Sequence, residues 1–114
     1  MIYHFSTQEI LVTKQAAKAF SEGEEDFFDY LKRHELGDWG EVGNYDEVEL
    51  SEEEIKTGMS EDTANLNFLI IKNQQNGSVM SIYKLKNGTK IWIITCIDFM
   101  ADSAITTILL PLEY

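Results

Sequence analysis

Val79-Met80-Ser81-Ile82-Tyr83-Lys84-Leu85, then Lys86-Asn87-Gly88-Thr89, then Lys90-Ile91-Trp92-Ile93-Ile94-Thr95-Cys96-Ile97: the reading of this stretch decides the fold. Both flanks are rich in β-branched and aromatic residues, and Asn-Gly between them is the strongest short-range hairpin signal, because both turn residues need φ > 0. A two-residue Asn87-Gly88 loop sets Tyr83 opposite Trp92 and leaves Lys84, Lys86 and Lys90 around the turn. Apolar residues fall on both faces of 91–97, which marks a central strand. A longer turn over 98–103 and a further strand over 105–110, ended by Pro111, complete an antiparallel meander of about three strands.

Upstream the pattern changes to helical spacing. Gln8-Glu9-Ile10-Leu11-Val12 reads as a strand, and Thr13 is placed to cap a helix carrying Ala16, Ala17 and Phe20. Ser21-Glu22-Gly23-Glu24 matches a capping box, in which a hydroxyl and a carboxylate satisfy the orphan N–H groups of a helix start. Behind it Phe27, Phe28 and Leu31 form an apolar stripe. Lys32, Arg33 and His34 occupy the last turn, where the helix dipole favours cations, and Gly37 is a natural stop. Gly37-Asp38-Trp39-Gly40-Glu41-Val42-Gly43-Asn44 is turn-rich and presents a tryptophan that reads as exposed. Ser51-Glu52-Glu53-Glu54 is a second capping box, opening a short helix that Gly58 closes. Ser60 is placed to cap another through Leu66, Phe68, Leu69 and Ile70, ending near Asn76-Gly77. An N-terminal strand and two to three helices packed on the meander make an α+β domain. The length of 114 residues fits one domain, 1–114, with an acidic insertion at about 43–60.

The net charge is −11, and it is concentrated. Residues 22–62 hold sixteen Asp and Glu against Lys32, Arg33 and Lys56, while each flank carries a net charge of +1. Such a field repels nucleic acid and anionic membrane and attracts basic protein surfaces. Cys96 is the only cysteine, so no intramolecular disulfide forms; its apolar neighbours predict a buried, inert thiol. No signal-peptide core follows Met1 and no apolar run approaches the ~20 residues that span a bilayer. A cytoplasmic location is expected.

Several motifs in fixed order carry a family resemblance. They are His34-Glu35-Leu36-Gly37-Asp38-Trp39-Gly40, then Glu61-Asp62-x-Ala64-Asn65, then Ser81-x-Tyr83-x-Leu85. Gly88-Thr89-Lys90-Ile91-Trp92-Ile93-Ile94-Thr95 and Thr106-Thr107-Ile108-Leu109-Leu110-Pro111-x-Glu113-Tyr114 follow. Together, over most of 27–114, the chain resembles a family of small "plasmid-related" proteins of unknown function. That family is found on bacterial plasmids and integrative elements and is sometimes labelled restriction-system-associated. The chain departs from the family pattern in its acidic insertion between Gly43 and Ser60. It departs again where Cys96-Ile97-Asp98-Phe99-Met100-Ala101-Asp102-Ser103 replaces a short Glu-Ala-Asp-Arg-Ser turn. The resemblance implies a mobile-element setting and no chemistry.

Three constellations bear on function. The carboxylates of Asp46, Glu47, Glu49, Glu52, Glu53, Glu54, Glu61 and Asp62 are dense enough to imitate a phosphate ladder, or are simply a solvated face. His34, Asp38 and Trp39, with Glu41 close by, form a candidate pocket for metal or acid–base chemistry. Only His4 and His34 offer imidazoles, however, and the bland reading is a helix end with Trp39 plugging the core edge. Lysines and aromatics around the hairpin could stack single strands, which the net charge opposes. Gly88-Thr89-Lys90 has the ending of a P-loop without its upstream glycine or following helix. No GxSxG occurs, Cys96 has no partner histidine, and no catalytic residue, metal or cofactor is assigned.

The expected function is that of a non-enzymatic mobile-element accessory protein. Its acidic surface would bind a basic protein partner, inhibiting a nucleic-acid-handling defence enzyme by anti-restriction or anti-CRISPR type DNA mimicry. Neither direct nucleic-acid binding nor membrane association is expected. The alternatives are a small enzyme or ligand binder centred on His34, Asp38 and Trp39, and a structural homodimer that pairs C-terminal strands.

Overall fold

The computed structural model describes residues 9–43 and 49–114. The elements are β1 (Glu9–Val12), α1 (Lys14–Glu22), α2 (Phe27–Glu35), α3 (Glu52–Thr57), α4 (Thr63–Asn73), β2 (Gly77–Lys84), β3 (Lys90–Asp98) and β4 (Ser103–Leu109), with a 3-10 turn at Pro111–Glu113. The class is α+β, and the meander is present as one four-stranded mixed sheet in the order β1-β4-β3-β2. Its fourth member is β1, which pairs parallel to β4 with Leu11 beside Thr107. The C-terminal strand is therefore interior, lying between β3 and β1. It has no free edge for a second copy to pair with, contrary to the sequence expectation.

The hairpin turn is one residue longer than Asn-Gly predicts. Leu85 N donates to Thr89 O (2.8 Å) and Gly88 N donates to Leu85 O (2.9 Å), which leaves Lys86, Asn87 and Gly88 as the loop. Gly88 at φ 91 is the single left-handed residue of this turn, the arrangement of a three-residue hairpin with a bulge. The register becomes Lys84 with Lys90, Tyr83 with Ile91 and Ile82 with Trp92, so the expected Tyr83–Trp92 pair does not form. A slip of one residue sends a side chain to the opposite face. Tyr83 is buried at 2% exposure beneath the helices, while Trp92 lies on the other side.

All helical packing is on one face of the sheet. Ala16, Ala19 and Phe20 of α1 and Leu31 of α2 meet Tyr83, Leu85, Ile91, Ile93 and Ile108 in one cluster. Trp39, with Ala64 and Ile70 of α4, meets Val79, Ile97 and Ala104 in a second. Each buried aliphatic side chain contributes roughly 1.5–3 kcal/mol by leaving water. Between the clusters runs a polar seam. His34 Nδ1 lies 2.5 Å from Ser81 Oγ, His34 Nε2 lies 2.8 Å from Thr95 Oγ1, and Thr95 bonds Thr106 at 2.7 Å.

Helix caps agree with the sequence at three places and differ at two. Thr13 Oγ1 accepts from Ala16 N, and Ser51 with Glu54 forms both halves of a capping box that Gly58 closes at φ 71. Ser21 and Glu22, expected to open α2, instead finish α1; Asp26 caps α2 by accepting from Phe28 N. Asp62 rather than Ser60 caps α4, accepting from Asn65 N. In both cases a carboxylate nearer the apolar run took the capping position, and carboxylates are strong caps.

The outer edge of β2 is clasped. Ile82 N donates to Trp39 O (3.2 Å) and Glu41 N donates to Ile82 O (2.8 Å), an isolated parallel bridge at Gly40. One step along, Asn67 Nδ2 donates to Met80 O (2.7 Å) and its Oδ1 accepts from Met80 N (3.0 Å). Gly40 is required for two reasons. Its φ is +66, and a Cβ there would sit 2.1 Å from Ile82 O. Trp39, which reads as exposed in sequence, is 0% exposed because the clasp turns it into the core.

Candidate functional site

The acidic residues occupy a small lobe beside the sheet. Helix α3 buries none of its six residues and places Glu52, Glu53 and Glu54 in its first turn, where negative charge suits the helix dipole. Glu54 ties the lobe together. It accepts from Ser51 N (2.9 Å), from Ser60 Oγ and from Asn65 Nδ2 (3.0 Å). These bonds, led by the Ser51 backbone N–H, hold its carboxyl down to about 2. Asn65 Nδ2 also donates to Glu49 O (3.0 Å), and Gln75 Nε2 to Gly58 O (2.7 Å). The short helix is thereby anchored at both ends to α4 and the segment after it.

Glu53, Glu54, Glu61 and Asp62 line one open cleft of about 510 Å³ with Thr57, Met59 and Ser60. Of the eight predicted acids, these four converge. Glu54 and Asp62 also serve as internal caps, which leaves Glu53 and Glu61 as the cleft carboxylates without a capping role. Glu49 and Glu52 are exposed nearby, and Asp46 and Glu47 lie outside the described residues. Ile55 (57% exposed) and Met59 (64%) add apolar surface that the charge pattern hid. A cleft that sets the apolar Met59 among a rim of carboxylates suits the long stem and cationic head of lysine or arginine.

His34, Asp38 and Trp39 do not share a pocket. His34 and Trp39 are both 0% exposed, His34 in the polar seam and Trp39 in the α4 cluster. Burial holds the His34 imidazole neutral, with its pKa pushed down to about 3. One ring nitrogen donates and the other accepts, which accounts for its two hydroxyl partners. Asp38 instead receives Arg33 in a two-pronged pair, Nε to Oδ2 at 2.7 Å and Nη2 to Oδ1 at 3.3 Å. That hydrogen bond lowers the Asp38 pKa and raises that of Arg33.

Asp38 lines a shallow cleft of about 330 Å³ with Arg33, Gly40, Glu41, Ile82, Tyr83 and Lys84. Arg33 also lies over the Tyr83 ring at 4.7 Å, and Tyr83 donates its hydroxyl to Asp38 O at 2.5 Å. Burial raises the Tyr83 pKa. Lys90 Nζ meets Glu41 Oε1 at 3.1 Å. Arg33, Asp38 and Glu41 of this cleft are thus each held in an ion pair, and the group acts as a brace for the β2 clasp. Sequence reasoning missed Arg33 and Tyr83; the signal was Tyr83 alternating with Ser81 and Val79 on the inner face.

Among the described residues, no three His, Cys, Asp or Glu side chains are grouped as metal ligands, and no helix is long and apolar enough to cross a membrane. Cys96, expected to be buried, is exposed, since it alternates onto the face away from the helices. Comparison with family models, with curated proteins and with solved structures finds no match for this chain. The functional reading therefore rests on the chain's own residues.

Proposed function

We propose that the chain is a non-enzymatic accessory protein of a mobile element, acting in the cytoplasm by docking its acidic lobe on a basic protein surface. The observation that carries the reading is α3. Six residues with no buried side chain gain nothing for the core, yet they are fixed by a full capping box, a left-handed glycine and the Glu54 ties. Ordered acid complements an ordered basic groove better than a mobile acidic loop does, because less side-chain and backbone freedom is lost on binding. The partner class is a nucleic-acid-handling defence enzyme, whose groove is built to attract closely spaced phosphates. Charge complementarity of this kind gives fast, salt-sensitive association.

The test is capture on the immobilised protein from nuclease-treated host lysate at roughly 50 and 300 mM salt, a range over which exposed ionic contacts are progressively screened. The comparison variant combines Glu49→Gln, Glu52→Gln, Glu53→Gln and Glu61→Gln and leaves Glu54 and Asp62 in place, because both are caps. A basic nucleic-acid enzyme retained at low salt by the parent and lost from the variant supports the reading. Equal retention by both proteins overturns it.

A further inference from the structure

The sheet face turned away from the helices carries its own pattern. In register across the strands lie three rows, uncharged except at the β1 rim of the third: Ile82, Trp92 and Leu109; then Met80, Ile94, Thr107 and Leu11; then Ser78, Cys96 and Ile105. Leu11 is 48% exposed and Ile105 38%. Glu9 sits beside Ile105 at the β1 rim. Beyond the first row come Lys84 and Lys90, and beyond the third come Asp98 and Ser103. The C-terminal turn folds against the first row, where Tyr114 meets Trp92 edge-on at 5.4 Å. The face therefore has a cationic, bulky end, an apolar middle and an acidic, small-residue end.

The geometry points to a second copy of this chain as the occupant, stacked face to face and related by a half-turn about an axis running across the strands through the middle row. That rotation keeps each strand over its twin and reverses its direction. Trp92 of one copy then lies over Cys96 of the other and Ile82 over Ser78, so bulky positions meet small ones, while Leu109, buried within its own chain at 6% exposure, stays out of the contact. Lys90, which also holds Glu41, lies over Asp98, so the charged ends are opposite in sign. Ile94 and Leu11 meet their own counterparts on the axis. Rotation about an axis along the strands through the middle of the sheet would instead set β3 over β4, with Trp92 over Leu109 and neither Lys84 nor Lys90 over an acid. Two sheets stacked in this way sit about 10 Å apart with strands near 30° from parallel. An isologous contact of this kind is self-complementary and closes at two copies.

Size sets the expected strength. Four strands about 4.8 Å apart and about 27 Å of strand between the charged ends give on the order of 400–500 Å² of flat sheet per copy. Counted over both copies that falls at or below the roughly 1,000 Å² that a stable interface clears, so the dimer is weak. Two copies of charge −11 repel at long range, and salt screens that repulsion. Self-association therefore tightens as salt rises, opposite to the behaviour of the acidic lobe with a basic partner. The two proposals use separate surfaces and stand or fall separately.

The test is sedimentation equilibrium of the full chain from about 5 to 300 µM, at roughly 50 and 500 mM salt. The expected result is a monomer–dimer equilibrium, tighter at high salt and weakened at least tenfold by Ile94→Lys. Ile105→Lys, at a more exposed position of the same face, weakens it likewise if Ile94→Lys proves misfolded by circular dichroism. Ile55→Lys on α3 leaves it unchanged. A chain that remains monomeric at 300 µM and high salt overturns the proposal. A dimer insensitive to both face variants, or dissolved by salt, overturns it as well.

Discussion

The two faces of the sheet differ less in composition than in what covers them. On β3, Ile91, Ile93 and Ile97 point at the helices and are buried, while Trp92 and Ile94 point the other way and are half-buried. The helical side carries buried hydroxyls of its own: Ser81, Thr95 and Thr106 lie within it, each 0% exposed and joined through His34. The open side carries Met80, Ile82, Trp92, Ile94 and Ile105. Hydrophobicity alone does not say which face is the core. The face is chosen by the helices, through Phe20, Leu31 and Ile70, and by the hydrogen-bonding complement that His34 brings to the seam.

Ile93 and Ile94 make a matched pair for breaking this comparison, being the same residue on opposite faces. Ile93→Ala leaves a cavity among buried aliphatic and aromatic side chains and costs about 2–5 kcal/mol in urea unfolding. Ile94→Ala removes a half-covered side chain and costs about 1 kcal/mol or less at low protein concentration. Its cost grows with concentration if the second copy covers it. Equal losses at both sites at low concentration would mean that the open face is covered within a single chain.

The same comparison explains what was legible in the sequence. The hairpin, the central position of β3, the helix stop at Gly37 and the Ser51–Glu54 box depend on residues within a few positions of one another, and local chemistry dictates them. The pairing of Glu9–Val12 with β4 spans nearly the whole chain and has no local mark. The burial of Trp39 depends on a bridge between Gly40 and Ile82, which no local pattern marks either. Cys96 reads as core because apolar residues surround it, and the sequence does not say that its face lacks helices. The acids of the candidate lobe were legible as a group. Their division into caps and open carboxylates was not, because Ser60 and Asn65 reach Glu54 only after α4 has folded back.

The polar seam is the next point of attack. His34→Leu has similar volume but withdraws a partner from both Ser81 and Thr95, at a cost of about 1–3 kcal/mol at neutral pH. The variant also changes the response to acid. Folded His34 stays neutral down to about 3, whereas in the unfolded chain it binds a proton near the ordinary 6.5. Below 6.5 the unfolded state therefore takes up a proton that the folded state refuses. This group's contribution is fully present above pH 6.5 and is lost as pH falls toward 3, at a limiting slope of about 1.4 kcal/mol per unit. Urea midpoints of parent and variant should therefore converge between pH 6.5 and 4. Parallel curves over that range would mean that His34 is not held neutral.

The smallest effect separates two glutamates one residue apart on α3. Glu54 is bonded to Ser51, Ser60 and Asn65, and its carboxyl is held near 2 against an ordinary 4.5. Its contribution is present above pH 4.5 and is lost as pH falls toward 2, a window below most of that of His34. Glu53 lines the cleft and has no capping bond. Glu54→Gln should therefore lower the urea midpoint slightly at pH 7 and leave parent and variant indistinguishable near pH 2. Glu53→Gln should leave the midpoint unchanged while weakening capture of a basic partner. If the two variants were alike in both assays, the acids of α3 would form one undifferentiated charge cloud rather than a fixed frame carrying a few open carboxylates.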